Sequence, residues 1–198
     1  MLDPNTQIGA VTLNVADLSA QADYYQEVIG LHQLEIYNRG ISLGVGDQVL
    51  VKLFELQGGI RVSHTTGLYH LALRVPDRIS LGSWLAHYAG LNTPFWQGAS
   101  DHGVSEALYL SDPEGNGIEI YADKPKTVWD FRDGGRIGMV TEPLDLQNLL
   151  AAGKETSWQG MPAGTDMGHI HLQVSDLDQT GKFYTALIGF DTKMSFYR

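Results

Sequence analysis

The feature of this sequence that most restricts its fold is a pattern that occurs three times. Ile8 to Leu31 reads IGAVTLNVADLSAQADYYQEVIGL, Gly67 to Gly90 reads GLYHLALRVPDRISLGSWLAHYAG, and Met167 to Phe190 reads MGHIHLQVSDLDQTGKFYTALIGF. Set in register without gaps, Ala10, His70 and His169 coincide, as do Leu13, Leu73 and Leu172, then Val15, Val75 and Val174. Asp17, Asp77 and Asp176 follow in step, and Gly30, Gly90 and Gly189 close each copy. A motif kept in register over this length reads as one supersecondary unit used three times.

The parts of the unit follow from periodicity. In the third copy Ile170, Leu172 and Val174 alternate with His169, His171 and Gln173, the pattern of a strand with one apolar face. The Asp that follows suits a helix N-cap, and in the third copy Gln179 three residues on makes a loose capping box. Leu177, Gly181, Tyr184 and Ile188 then recur as one helical stripe, with Gly189 as the C-terminal cap. The apolar side of each first strand is therefore expected to face its helix, and the histidines to face the other way.

After the first helix come strand-like runs at Leu34 to Tyr37, Gly40 to Val45 and Gln48 to Glu55, with Gly46-Asp47 as a turn. The second copy continues with runs near Thr93 to Gln97, Ser105 to Ser111 and Gly117 to Ala122, the last two joined by the turn formers Asp112 to Gly117. Each module is thus strand, helix, three strands, and the fold class expected is α+β: repeated βαβββ modules forming curved mixed sheets around a metal cavity. Residues 1–60 make the first module, 67–123 the second, 124–166 a connection, and 167–198 the start of an incomplete third, with its first strand, its helix and the start of a second strand expected. The connection is too long for a bare loop, and Leu144 to Ala152 has the look of a short helix.

Charge and composition narrow the function classes. Lys and Arg total 13 against 23 Asp and Glu, a formal net charge of -10, which argues against a broad nucleic-acid surface. The absence of cysteine leaves His, Asp and Glu as the metal ligands on offer. No leader and no apolar run of membrane-spanning length is apparent, so a cytoplasmic protein with no membrane partner is expected.

Alternation gathers a candidate site. His70 and His169 begin equivalent strands on equivalent faces, and Glu119 and Tyr109 fall on the same non-helix face of the second module. A lone strand histidine is more often an ordinary half-buried residue, but matched placement in a repeat weighs the other way. Two His and one carboxylate with open positions form the facial triad of non-haem Fe(II) oxygenases.

The MGHIHLQVSDL start and the segment DHGVSEALYLSDPEGNGIEIYAD resemble the vicinal oxygen chelate superfamily, closest to its catechol 2,3-dioxygenase (extradiol ring-cleaving) branch. That resemblance covers nearly the whole chain. It implies Glu119, His70 and His169 as metal ligands, Tyr109 as a hydrogen-bond partner of the bound substrate oxygen, and His102 as the oxygen-side histidine. It further implies Fe(II), with Mn(II) as the alternative, and a small aromatic diol and O2 as the reactants. Phe95, Trp96 and Tyr121 are candidates to line the ring pocket. Ala10 departs from the ligand pattern, so modules two and three are expected to share the cavity, and the family's acid/base histidine would fall beyond Arg198. A glyoxalase- or epimerase-type lyase or isomerase, with Glu55 as a stand-in second carboxylate, and a non-catalytic aromatic-binding remnant are the alternatives. The unfinished third module predicts an exposed sheet edge and hence a homo-oligomer.

Overall fold

The computed structural model describes residues 2–3, 5–62 and 65–195. Parts of the expected lead-in, of the 57–66 connection and of the last module (196–198) lie outside the described residues. Strand β1 (Val11–Val15) leads through helix α1 (Leu18–Tyr24) into β2 (His32–Tyr37), β3 (Gly40–Val45) and β4 (Gln48–Glu55). Strand β5 (Gly67–Arg74), helix α2 (Arg78–Leu91), β6 (Trp96–Asp101), β7 (Ser105–Ser111) and β8 (Gly117–Asp123) repeat that order. Two short strands, β9 (Asp130–Arg132) and β10 (Arg136–Gly138), and helix α3 (Leu146–Gly153) occupy the connection, where a helix was expected. Strand β11 (Asp166–Gln173) and helix α4 (Leu177–Lys182) open the third repeat.

Each repeat uses its aspartate as an N-cap: Asp17 accepts from the Ala20 amide at 3.0 Å, Asp77 from Ser80 at 2.8 Å and Asp176 from Gln179 at 2.9 Å. In the first and third repeats the helix ends in a π turn, Tyr25–Ile29 and Phe183–Ile188, capped by Gly30 and Gly189 at φ 91° and 95°. The second departs from expectation. Gly90 stays inside α2, and Asn92, at φ 51°, makes the left-handed cap instead.

The strands form a four-stranded sheet of order β1-β4-β3-β2 and a five-stranded sheet of order β11-β5-β8-β7-β6. In each, the first strand of the module runs parallel to the last, and the remaining pairs are antiparallel. The two sheets share one core. Leu13, Val51 and Leu53 from the smaller sheet join Leu71, Leu73, Leu108 and Ile120 from the larger, with Tyr25, Trp84 and Tyr88 from the helices between them. On α2 the buried residues Leu81, Trp84, Leu85 and Tyr88 follow helical spacing, and each such large side chain fully buried stabilises by about 1.5–3 kcal/mol. Polar ties fix the modules together: Tyr24 donates to the Ser111 carbonyl at 2.8 Å, and Glu114 accepts from the Ala16 and Asp17 amides at 2.8 and 2.9 Å. Helix α3 lies against α2 at Gly82 and Gly153, where a Cβ on either would strike the other helix's backbone.

Three expectations need correction. The sixth strand starts at Trp96, not Thr93, because Pro94 has no amide to give a ladder and Gly98 (φ 151°) marks a bulge. Residues 190–195 contain no strand, so a second strand of the third module is not seen among the described residues. The apolar stripe of α4 is not buried against β11: Leu177 is 81% exposed, and Leu172 and Ile188 are also exposed.

Candidate metal centre

The three histidine and carboxylate candidates meet on one face of the larger sheet, carried by the neighbouring strands β11, β5 and β8. A single continuous sheet brings them together, because β11 of the third module pairs with β5 of the second. Along β5, Leu71 and Leu73 enter the core while His70 and Ala72 face the other way. Along β8, Ile118 and Ile120 alternate in the same sense with Glu119 and Tyr121. Ala72 pairs with His169 on one side and with Glu119 on the other. Strands two apart are separated by roughly 10 Å, so His169 and Glu119 can touch only by leaning across a small residue. Ala72, fully buried, is that residue.

The β5-β11 ladder carries two bulges, and their placement is matched. Gly168 is the unpaired residue on β11 and Tyr69 the unpaired residue on β5, so each candidate histidine directly follows a bulge. Bulges re-aim side chains near functional sites. Only glycine fits at 168, because a Cβ there would collide with the Tyr121 phenol.

The donor atoms form a small triangle. His70 Nε2 is 3.0 Å and His169 Nε2 3.1 Å from Glu119 Oε2, and the two nitrogens are 3.3 Å apart. An ion bonded at about 2.1 Å spans about 3 Å between adjacent ligands of an octahedral face, so the triangle fits a divalent ion. Three lone-pair-bearing atoms this close need a cation among them, a proton or a metal ion. Glu119 is buried, and burial alone would raise its pKa; hydrogen bonds from His169 and His70 outweigh that and hold the carboxyl down at about 2. The site thus keeps an anionic oxygen ready at neutral pH.

Beside Glu119, its cross-strand partner Tyr109 places its hydroxyl 2.8 Å from His102 Nε2. His102 Nδ1 lies 2.8 Å from the Val140 carbonyl, which accepts only an N-H, so in the neutral ring Nε2 is the acceptor and Tyr109 the donor. Burial, then the charge of Glu119, push the Tyr109 hydroxyl well above its ordinary pKa. The sequence-expected pair therefore sits together, held by a strap from the connection that the sequence did not reveal. That strap pairs Asp101 with Glu142 through two 2.9 Å backbone hydrogen bonds and places Met139 and Thr141 in the wall.

A cavity of about 1350 Å³ covers this face, with His70, Glu119, His169, Tyr109 and His102 in its lining. Of the three aromatic candidates, Tyr121 lines it, its ring 5.1 Å from that of His169. Phe95 and Trp96 do not: they pack on the core against Tyr24 and Tyr88, at 5.2 and 5.6 Å. Glu55, the proposed second carboxylate, is elsewhere, bonded to Arg39 at 3.2 Å. Tyr69 and His171, whose rings stand 4.8 Å apart beside His70, complete the wall; Tyr69 escaped the sequence reading because alternation places it on the opposite face.

Comparison with known proteins adds a lineage. Residues 7–120 match the family described as Glyoxalase/Bleomycin resistance protein/Dioxygenase superfamily. A catechol-2,3-dioxygenase of Bacillus subtilis (strain 168) is 40% identical over 190 residues, covering 94% of this chain and 66% of the relative, so the chain spans somewhat less than two thirds of that protein's length. A biphenyl-2,3-diol 1,2-dioxygenase 3 of Rhodococcus globerulus is 30% identical over 156 residues, 71% of this chain and 80% of the relative. A solved glyoxalase/dioxygenase of Nostoc punctiforme shares the fold with a TM-score of 0.52 at 22% identity, over 63% of this chain and 97% of that one.

Proposed function

This chain belongs to the Glyoxalase/Bleomycin resistance protein/Dioxygenase superfamily, and from that premise we propose that it is an extradiol dioxygenase that opens the ring of a catechol-type diol with O2. The observation that carries the reading is the His70, Glu119, His169 triangle with Tyr109 and His102 beside it. The names of the two relatives, a catechol and a biphenyl-diol dioxygenase, support the substrate class. Fe(II) is the ion proposed, with Mn(II) as the alternative; when bound it would bring diol and O2 together and pass charge between them.

The remaining chemistry belongs to the chain. His70, His169 and Glu119 would hold the ion, and the cavity lies beside them. Tyr109 spends its proton on His102 Nε2, so its oxygen lone pairs are free to accept a hydrogen bond from a diol hydroxyl. As that hydroxyl loses its proton to the Tyr109 oxygen, the tyrosine's own proton passes to His102 Nε2. The Val140 carbonyl, already bonded at Nδ1, steadies the imidazolium that results. Ala72, Ala107 and Tyr121 form an apolar floor that excludes water from the carboxylate.

Among the described residues no strand pairs with the outer edge of β11, and that edge with the exposed stripe of α4 supports a homo-oligomer in this reading. Among the described residues no helix is long and apolar enough to cross a membrane; cytoplasmic location is part of the proposal. The test is to load the purified chain with Fe(II), add catechol and O2, and follow both oxygen uptake and ring-opened product. One O2 consumed per ring opened is the expected result. A metal-loaded chain that binds no diol would sink the reading.

A further inference from the structure

We propose that Tyr69 is a specificity-determining residue: its ring forms one side of the seat for the aromatic ring of the diol. The inference rests on the function proposed above and names a contact it does not contain. The argument starts from the bulge. In a regular strand Tyr69 and His70 would point to opposite faces. The ladder instead runs His171 with His70 and Leu172 with Leu68, so Tyr69 is the inserted residue, and its ring turns onto the site face beside that of His70, at 5.4 Å.

The matching bulge on the other histidine strand shows what this position is for. At Gly168 the space a side chain would take is filled by the buried Tyr121, whose ring packs against His169. Each histidine therefore has a tyrosine at its flank. Tyr121 is 7% exposed and closed in, whereas Tyr69 is 50% exposed and opens onto the cavity. Among the described residues its one further aromatic neighbour on that face is His171. An exposed tyrosine turned inward at the cost of a ladder position, with no core to join, offers its face to a ligand.

The geometry also sets the kind of ligand. Tyr109 approaches His70 from the β7 side, at 5.8 Å between rings, while Tyr69 and His171 approach from the β11 side. Gly117, paired with His70, puts no side chain between them, and the place of its Cβ is taken by the Tyr69 carbonyl and His70. A flat ring held by two adjacent oxygens fits between aromatic walls, and offset or edge contacts with such walls favour an aromatic over an aliphatic chelator.

The test uses the Zn(II)-loaded chain, which binds without turning over, and two probes: 4-nitrocatechol, whose absorption moves on chelation, and oxalate, which chelates without a ring. Tyr69→Ala should bind 4-nitrocatechol about fivefold to tenfold more weakly, keep its zinc and leave oxalate affinity unchanged, while Tyr69→Phe should bind both as the parent does. Equal 4-nitrocatechol affinity in Tyr69→Ala and parent would overturn the ring contact alone. Weakening of both probes together would also overturn it, since the side chain would then act through the metal ligands. A zinc-loaded parent that fails to shift 4-nitrocatechol while binding oxalate would refute the diol reading, and the ring seat with it.

Discussion

In the smaller sheet Thr12 and Ser42 flank Lys52 on the neighbouring strands, whereas in the larger sheet Ala72 and Tyr109 flank Glu119 in the same two registers. Ala10 stands where His70 stands, one step before the parallel pairing begins. Around this position the ladder register is the same, and the chemistry is reversed: a cation replaces the carboxylate and a methyl replaces the imidazole. The second difference lies at the edge. Strand β5 gains β11 as a neighbour, while among the described residues no strand lies beyond β1. A repeated module therefore supplies a scaffold on which a site is decided by a few side chains and by one added strand.

The sharpest way to break the comparison is to write the smaller sheet's residue into the larger. Glu119→Lys should reduce bound metal to background, measured by elemental analysis after dialysis, because it places an ammonium between two imidazoles in a buried position. His70→Ala and His169→Ala should do the same, and His171→Ala should not; the reverse outcome for His169 and His171 would mean the wrong histidine was chosen. Tyr109→Phe should keep the metal and lower turnover by roughly 10²-fold to 10³-fold, the usual effect of removing one stabilising group from a site. Loss of metal in that variant would make the phenol a support for Glu119 instead. Ala72→Leu should cost about 1–3 kcal/mol of stability from overpacking and weaken metal binding roughly 10-fold to 100-fold, read by competition with a chromophoric chelator. The smallest effect is expected from the converse graft: Ala10→His with Lys52→Glu should add no metal, since β1 lacks a third strand to complete the set. One extra ion per chain in that variant would show that two ligands on this ladder suffice.

The modules were legible because alternation, aspartate caps and turn residues all agree locally; β3, β4 and the β7-β8 hairpin fall where Gly46-Asp47 and Asp112 to Gly117 place them. His70, Glu119, His169 and Tyr109 were gathered by the same alternation and His102 by the family resemblance alone, and the structure brings all five together. What remained hidden depends on pairing. Periodicity assigns α4 an apolar face but cannot say what covers it, and Leu177 and Leu187 lie exposed. A bulge changes the count of a strand by one, so simple alternation puts Tyr69 on the wrong side. The equivalence of Lys52 with Glu119 needs the ladder register, since unequal loops displace the two in sequence, and this made Glu55 look like the better stand-in.

His70 and His169 are 99 residues apart in the chain and meet only because β11 crosses back to pair with β5. Contacts of such separation carry a high loop-closure cost and form late in folding. An ion shared by these strands would then act as a clasp on the returning segment, its hold set by mass action: at a free concentration one hundred times its Kd it would add about 2.7 kcal/mol to the docked form. The grip of the chain on its own β11 would thus rise and fall with metal supply. A starved molecule would release that strand first, which amide exchange across residues 166–173 would register well before the smaller sheet loosens.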